Sequence, residues 1–293
     1  MIKILSWNIH TTKKGMTPLL QRVLAEVVNE NKIDIVVLQE AFGKMVNSSL
    51  NSQLEQYDEI VTPGNVIENG VRIFLKRNAF QHSLVERHSG NKLVLVHLKK
   101  TGGFEEFNIA AVHLHSKVGN SERQQLWKNL PIVNKIRDFE DKTANNNNTI
   151  LVGDFNHNPY ENNLLDPYIL NCKDSKNLIT ILTNIHTSKS KQNNFWYNPM
   201  WNLLGDYDFT NGNERVTGTY FRYTMDETPI WNLFDGFILR SSIMDRVDYT
   251  QSSILTSTKT TQFLKSFTIG KGDSLINEQL SDHLPIKFTL TIN

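Results

Sequence analysis

Apolar and polar positions alternate through the opening segment Met1–Trp7 (MIKILSW), whose β-forming residues predict a first strand. A helix is predicted next. Thr17 is a candidate N-cap, Pro18 takes the first helical position, and Leu20, Val23, Leu24, Val27 and Val28 recur at the spacing of one helical face. Ile33–Leu38 (IDIVVL) is almost continuously apolar, as in a strand covered on both faces, and it delivers Gln39 and Glu40 to a strand terminus. From Val71 to Leu114 the segments VRIFLK, HSLVER, KLVLVHLK and EFNIAAVHL are separated by short polar turns such as Thr101-Gly102-Gly103, and they predict consecutive strands of an antiparallel meander.

A second helix is predicted over Ser121–Glu140, with Leu126, Leu130, Val133 and Ile136 on one face and Pro131 bending or dividing it. Asn145–Asn148 reads as an exposed polar loop and Thr149–Gly153 (TILVG) as a buried strand. Residues 160–230 are less regular and read as an elaborated surface region. Strands return at Gly218–Tyr223, Leu233–Leu239 and Pro285–Ile292. No repeat recurs at a solenoid-like period. The pattern predicts an α/β architecture, two packed sheets flanked by helices, in one unit over residues 1–293.

Composition narrows the class. With 39% hydrophobic and 21% charged residues and no long block of one sign, the 293-residue chain reads as globular. Its formal net charge of +1 gives no overall field toward nucleic acid or anionic lipid, so phosphate binding would depend on local cations. Lys76, Arg77, Arg87, Lys92, Lys99 and Lys100 cluster in sequence and read as solvated charges of paired strands. Cys172 is the sole cysteine, which excludes an intramolecular disulfide. No window approaches the roughly 18 apolar residues of a membrane span, and no secretory-type apolar stretch follows Lys3. A cytoplasmic setting is expected, and no protein partner is inferable.

Candidate chemistry sits just past the apolar runs. Asn8 follows ILSW, Glu40 follows IVVLQ, His113 follows IAAV, and Asp154 with Asn156 follows ILVG. Asp235 is embedded in WNLFDGFIL, and Asp282 and His283 precede the last strand. Strand ends of a layered fold converge, and sites are commonly built there.

This ordered series of S-W-N, L-Q-E, H-L, G-D-F-N, a strand with an embedded Asp, and S-D-H resembles the endonuclease/exonuclease/phosphatase superfamily, over residues 6 to 283. The resemblance implies a four-layer α/β sandwich with two mainly antiparallel sheets flanked by helices. It also implies a metal-dependent phosphoesterase using Mg²⁺, with Mn²⁺ able to substitute. Glu40 then matches the principal metal ligand, Asn8 arranges metal and phosphate, and Asp282 supports the metal or the attacking-water site. Asp154 orients or deprotonates the attacking water, while Asn156 and His113 donate to phosphoryl oxygens. His283 is the acid/base histidine, held by Asp235. Arg123, at the start of the second helix, matches a position where many relatives carry Arg and is a candidate substrate contact. His10 departs from relatives that are acidic there, and it reads as a loop residue; His115 and His97 read as peripheral.

Elementary chemistry asks for the same inventory. Attack on an anionic phosphate is aided by a hard cation on carboxylate oxygens, by fixed hydrogen-bond donors, and by a histidine whose tautomer a carboxylate fixes. Three substrate readings remain open. A nuclease acting on DNA or RNA is the expectation. A phosphatase or phospholipase-C-like enzyme on inositol phosphates or sphingomyelin is the alternative, and a non-enzymatic binding module is disfavoured because the whole set is present. Aromatics such as Trp196, Trp201, Tyr220 and Trp231 read mostly as packing.

Overall fold

The computed structural model describes residues 1–11, 15–42, 52–61, 70–88, 90, 92–143, 147–186, 195–208, 212–222, 230–265 and 274–292. Two sheets face each other. The first holds β1 (Ile2–Asn8), β2 (Ile35–Gln39), β3 (Tyr57–Glu59), β4 (Arg72–Lys76), β12 (Val247–Ile254) and β13 (Ile286–Leu290), in the order β12-β13-β1-β2-β4-β3. The second holds β5 (Phe80–His88), β6 (Leu93–Lys100), β7 (Glu106–His113), β8 (Thr149–Asp154), β9 (Cys172–Lys173), β10 (Trp196–Tyr197) and β11 (Asp235–Arg240), in the order β5-β6-β7-β8-β11-β10-β9. Among the described strands, only β1/β2, β7/β8 and β9/β10 pair in parallel.

Side-chain alternation explains the layers. In β1, Ile2 and Ile4 point between the sheets, where they meet Ile35, Ile109, Ile150, Phe237 and Phe288. Leu5 and Trp7 point the other way, onto Leu20, Val23, Leu24 and Val27 of helix α1 (Pro18–Asn31). The outer face of the second sheet, with Leu93, Leu95, Ala110 and Leu151, is covered by Ile132, Val133, Ile136 and Phe139 of α2 (Glu122–Lys142). The result is helix, sheet, sheet, helix, the four-layer α/β sandwich with two mainly antiparallel sheets. No described helix is long and apolar enough to cross a membrane.

Thr17 caps α1, accepting the Leu20 amide at 3.1 Å, and Ser121 with Gln124 forms a capping box on α2. Several expectations change. The segment Val71–Leu114 is not one meander: β4 pairs with β2 and β3, whereas β5 to β7 belong to the other sheet, so the chain crosses the sandwich at residues 77–79. Alternation is the same in either sheet and carries no information on pairing partners. Helix α2 runs undivided through Pro131, whose ring lies on the exposed side, so the carbonyl it deprives of a hydrogen bond can reach water. Within 160–230, β9 and β10 extend the second sheet, and a helix spans Lys176–His186. Strand β12 (VDYTQSSI) lacks a sustained apolar alternation; it is an edge strand, largely polar and only partly covered. Residues 145 and 146 of the expected polar loop and Tyr223 of the expected strand lie outside the described residues.

Candidate active site

Four strands end their inward-facing series in a polar residue at the same edge of the sandwich. Ile2, Ile4 and Ser6 lead to Asn8 in β1; Phe107, Ile109 and Ala111 lead to His113 in β7. Ile150 and Val152 lead to Asp154 in β8, and Leu239 and Phe237 lead back to Asp235 in antiparallel β11. Pairing aligns these ends, because Asp154 is registered with both His113 and Asp235. Asn8 is registered with Gln39, and Glu40 follows at the turn beyond β2. Gly153 is required here: a Cβ on it would run into the Val112 carbonyl and force β7 and β8 apart.

The motif letters around these residues are structural ties. Ser6 accepts the Gln39 amide at 3.1 Å. Ser281 donates to the Asn8 carbonyl at 2.6 Å and accepts the His283 amide at 3.1 Å, while the Trp7 indole donates to the His283 carbonyl at 3.0 Å. The S-D-H loop is thereby fastened to β1. Three residues at this edge have left-handed backbone, His10 (φ 39°), Glu40 (φ 51°) and Asn156 (φ 53°), a conformation costing an L-residue about 1–2 kcal/mol. Such outliers gather where a fold holds side chains for function.

A continuous polar chain crosses the gap between the sheets. His283 Nδ1 lies 2.7 Å from Asp235 Oδ2, and its Nε2 lies 4.0 Å from Asp154 Oδ2. Asn8 Nδ2 donates to Asp154 Oδ2 at 2.9 Å and to Glu40 Oε1 at 3.2 Å. Asp154 Oδ1 accepts the Asn156 amide at 2.8 Å, and Asn156 Nδ2 donates to the Leu114 carbonyl at 3.1 Å. His113 Nε2 is 3.5 Å from Glu40 Oε1 and 3.7 Å from Asp154 Oδ2. Beside them, His10 Nδ1 is 3.1 Å from Glu40 Oε2 and 3.5 Å from Asp282 Oδ1. A cleft of about 740 Å³ opens onto Glu40, His113, Asp154, Asn156, Asp282 and His283, with Asn8 and Asp235 buried behind them.

The electrostatics follow from burial and neighbours. Burial opposes charge on His283, but the carboxylates of Asp235 and Asp154 outweigh it and push its pKa up to about 10. Burial also opposes charge on Glu40, yet the hydrogen bond from His10, the nearby His113 and the bond from Asn8 hold it at about 2. Burial raises the Asp154 carboxyl, and burial pulls His113 below the usual histidine value. The arrangement at neutral pH is a cationic His283 facing carboxylates, beside a neutral His113. One end of it can deliver a proton, and the Glu40 end can hold a hard cation.

The structure therefore brings together Asn8, Glu40, His113, Asp154, Asn156, Asp235, Asp282 and His283. It does not bring in Arg123, which is exposed on the first turn of α2 and outside the cleft lining. Two residues further, Gln125 is buried and ties the helix to the His115 carbonyl at 2.9 Å, so Arg123 falls on the opposite side. Several residues that line the cleft or lie behind it carry no signal in the motifs. Tyr220 lies with its ring 4.9 Å from that of His283 and stacks on Phe234 at 5.4 Å. Thr219 accepts the Asp235 amide at 3.1 Å. Lys117 reaches Glu161 at 2.6 Å, within a buried network of His157, Asn158 and Asn232. Lys92, read from sequence as a surface charge, lines the cleft.

Solved structures share the overall fold. Truncated TDP2 from Caenorhabditis elegans superposes with a TM-score of 0.58 at 15% identity, covering 99% of this chain and 96% of that one. TDP2 from D. rerio complexed with a single-strand DNA product gives 0.57 at 15% identity, covering 98% and 97%. The human Nocturnin catalytic domain with bound sulfate gives 0.53 at 18% identity, covering 99% and 93%. These likenesses establish the fold. No curated protein matches the sequence. The family model described as endonuclease/exonuclease/phosphatase matches residues 5–283, and the chain belongs to that family.

Proposed function

We propose that the chain is a cytoplasmic, divalent-cation-dependent phosphodiesterase acting on DNA or RNA, a single catalytic unit over residues 1–293 that uses direct attack of water. The observation that carries this reading is the polar chain Asp235–His283–Asp154–Asn8–Glu40, two acidic ends joined through a charged imidazole. The donor set suits Mg²⁺, with Mn²⁺ as substitute. Glu40, His113 and Asp154 each offer an atom within 4.8 Å of the others, and Asp282 Oδ1, 3.5 Å from His10 Nδ1, is buried without a hydrogen-bond partner among the described residues. Glu40, with Asn8 and Asp282, would hold the ion. When bound, the ion polarises the phosphate and offsets the negative charge that develops on it.

The chain's own residues supply the rest. Asn8 and the Asn156 amide fix both oxygens of Asp154, which aims the carboxylate at a water and takes its proton. Asp235 holds His283 by Nδ1, leaving Nε2 toward the cleft to donate to the phosphate or the departing oxygen. Asn156 keeps a second amide proton for a phosphoryl oxygen, since Leu114 accepts only one, and His113 is within reach of the same position. Nucleic acid is favoured because Lys117, Arg222, Tyr220 and Phe234 line the cleft beside these residues, cations for flanking phosphates next to aromatic faces. The D. rerio neighbour's single-strand DNA product supports the same class.

The test is a paired assay of wild type and His283→Ala with Mg²⁺ or Mn²⁺ on single-stranded, duplex and abasic DNA, RNA, sphingomyelin and inositol phosphates. Cleavage of a nucleic acid is expected, lost with EDTA and reduced about 10²–10⁴-fold in the variant. Turnover of only the lipid or inositol phosphates would replace the nuclease reading with the phosphatase or phospholipase-C-like one. Full activity after EDTA would overturn the metal mechanism.

A further inference from the structure

The cleft contains a cation that this chemistry does not use. Lys92 immediately precedes β6, and its carbonyl accepts the His113 amide at 2.9 Å, which fixes it to the strand end carrying His113. Its half-buried side chain lines the cleft with Glu40, His113 and Asp154. Burial pulls its pKa below the ordinary lysine value, against the carboxylates of Asp154 and Glu40.

The two lysines of this cleft differ in their partners. Lys117 is bonded to Glu161 at 2.6 Å and rests 5.1 Å from the centre of the Phe234 ring. The Lys92 ammonium has no hydrogen-bonded or ion-paired partner among the described residues. Withdrawing an ammonium from water without such a partner is unfavourable, and an arriving anion would offset that cost. The nearby carboxylates are engaged: Asn8 and His10 hold Glu40, and Asn8 and Asn156 hold Asp154. An anionic group of the ligand would supply the acceptor that the described residues do not.

We propose that Lys92 is a further substrate-binding residue, donating from its ammonium to a non-bridging oxygen of the phosphate that sits between Glu40 and His283. This rests on the phosphoesterase reading above and adds a charged contact to it. A lysine here supplies a point charge to an oxyanion, so the ligand class is a phosphate mono- or diester and not a neutral molecule.

The probe is inorganic phosphate, titrated calorimetrically into the full chain loaded with Mn²⁺, with Mn²⁺ affinity measured on the same samples. Lys92→Met should weaken phosphate binding about 10-fold or more, the worth of one charge-assisted hydrogen bond, and Lys92→Arg should recover most of it. Mn²⁺ affinity should not fall in Lys92→Met, because no metal ligand is lost. Lys128→Met removes a nearby exposed charge that is bonded to Asn120 at 2.6 Å, and it should change phosphate affinity by less than about twofold. Lys92→Gln, checked for a native unfolding curve, serves if the methionine variant does not fold. Equal phosphate affinity in wild type and Lys92→Met, or an equal loss in Lys128→Met, would overturn the proposal. If wild type neither takes up Mn²⁺ nor hydrolyses any ester, the phosphoesterase reading itself fails. Uptake and hydrolysis with no Lys92 effect sinks only the present inference.

Discussion

Strand β11 carries a buried charge at each end, and the two are treated in opposite ways. At its C-terminal end, Arg240 meets Glu140 of α2 through two hydrogen bonds of 2.9 and 2.8 Å, with the guanidinium 4.0 Å from the centre of the Trp196 ring. At its N-terminal end, Asp235 meets His283 through one bond of 2.7 Å, and its second oxygen, equally buried, has no hydrogen-bond partner among the described residues. An odd number of steps separates the two residues, so Arg240 points to the helix layer and Asp235 into the gap between sheets. The first pair is closed and faces packing. The second is open and sits behind a cleft. A buried charge with its bonds complete serves specificity of packing, whereas one with capacity left over is held for something that arrives later.

The comparison is sharpest if each end is broken separately. Asp235→Asn should lower turnover by about 10²–10⁴-fold, because His283 loses its orientation and the partner that keeps it charged. Its urea unfolding midpoint should fall by less than that of Glu140→Gln, because His283 can give up its proton when its partner is neutral, whereas Arg240 cannot. Retained turnover in this variant would mean that Asp235 is a packing residue. Glu140→Gln should do the reverse. Removing one member of a buried, fully paired ion pair destabilises by about 3–5 kcal/mol, and kcat/KM of the remaining folded protein should be unchanged. A variant that lost activity without losing stability would show that the closed end also communicates with the site.

Much of this was legible because a strand has period two. Asn8, His113, Asp154 and Asp235 each extend an apolar alternation by one inward step, so residue type and position together mark them. The four layers follow from the same reading, inward faces forming one core and outward faces two others. What stayed hidden depends on long-range placement. Alternation could not tell that β4 and β5 lie in different sheets, because both read alike until paired. Lys92 looks like any strand-flanking lysine; only the closure of β7 against β6 turns it into the cleft. Arg123 was suggested by likeness to relatives, and the helical angle to buried Gln125 takes it away. The left-handed turn at Glu40 has no local signature, since glutamate is an unusual residue for that conformation.

The smallest effects lie in how stability responds to pH, and they separate the site from its support in the metal-free chain. Glu161 belongs to the support. Burial works against its charge, but His157, Lys117 and Asn158 hold its pKa at about 2, below the ordinary 4.5. A depressed folded pKa contributes stability that is present above the ordinary value and is lost as pH falls toward 2. The unfolding free-energy difference between wild type and Glu161→Gln should therefore be largest above pH 4.5 and shrink on acidification. His283 has the opposite sign. Its folded pKa of about 10 exceeds the ordinary 6.5, so its contribution is complete below 6.5 and disappears as pH rises through 10. The difference between wild type and His283→Asn should accordingly fade on the alkaline side only. Urea titrations at a series of pH values read both slopes. Parallel behaviour of the two variants would mean that His283 is not held charged by Asp235 and Asp154. The distinction between an open site pair and its closed support would then lose its electrostatic basis.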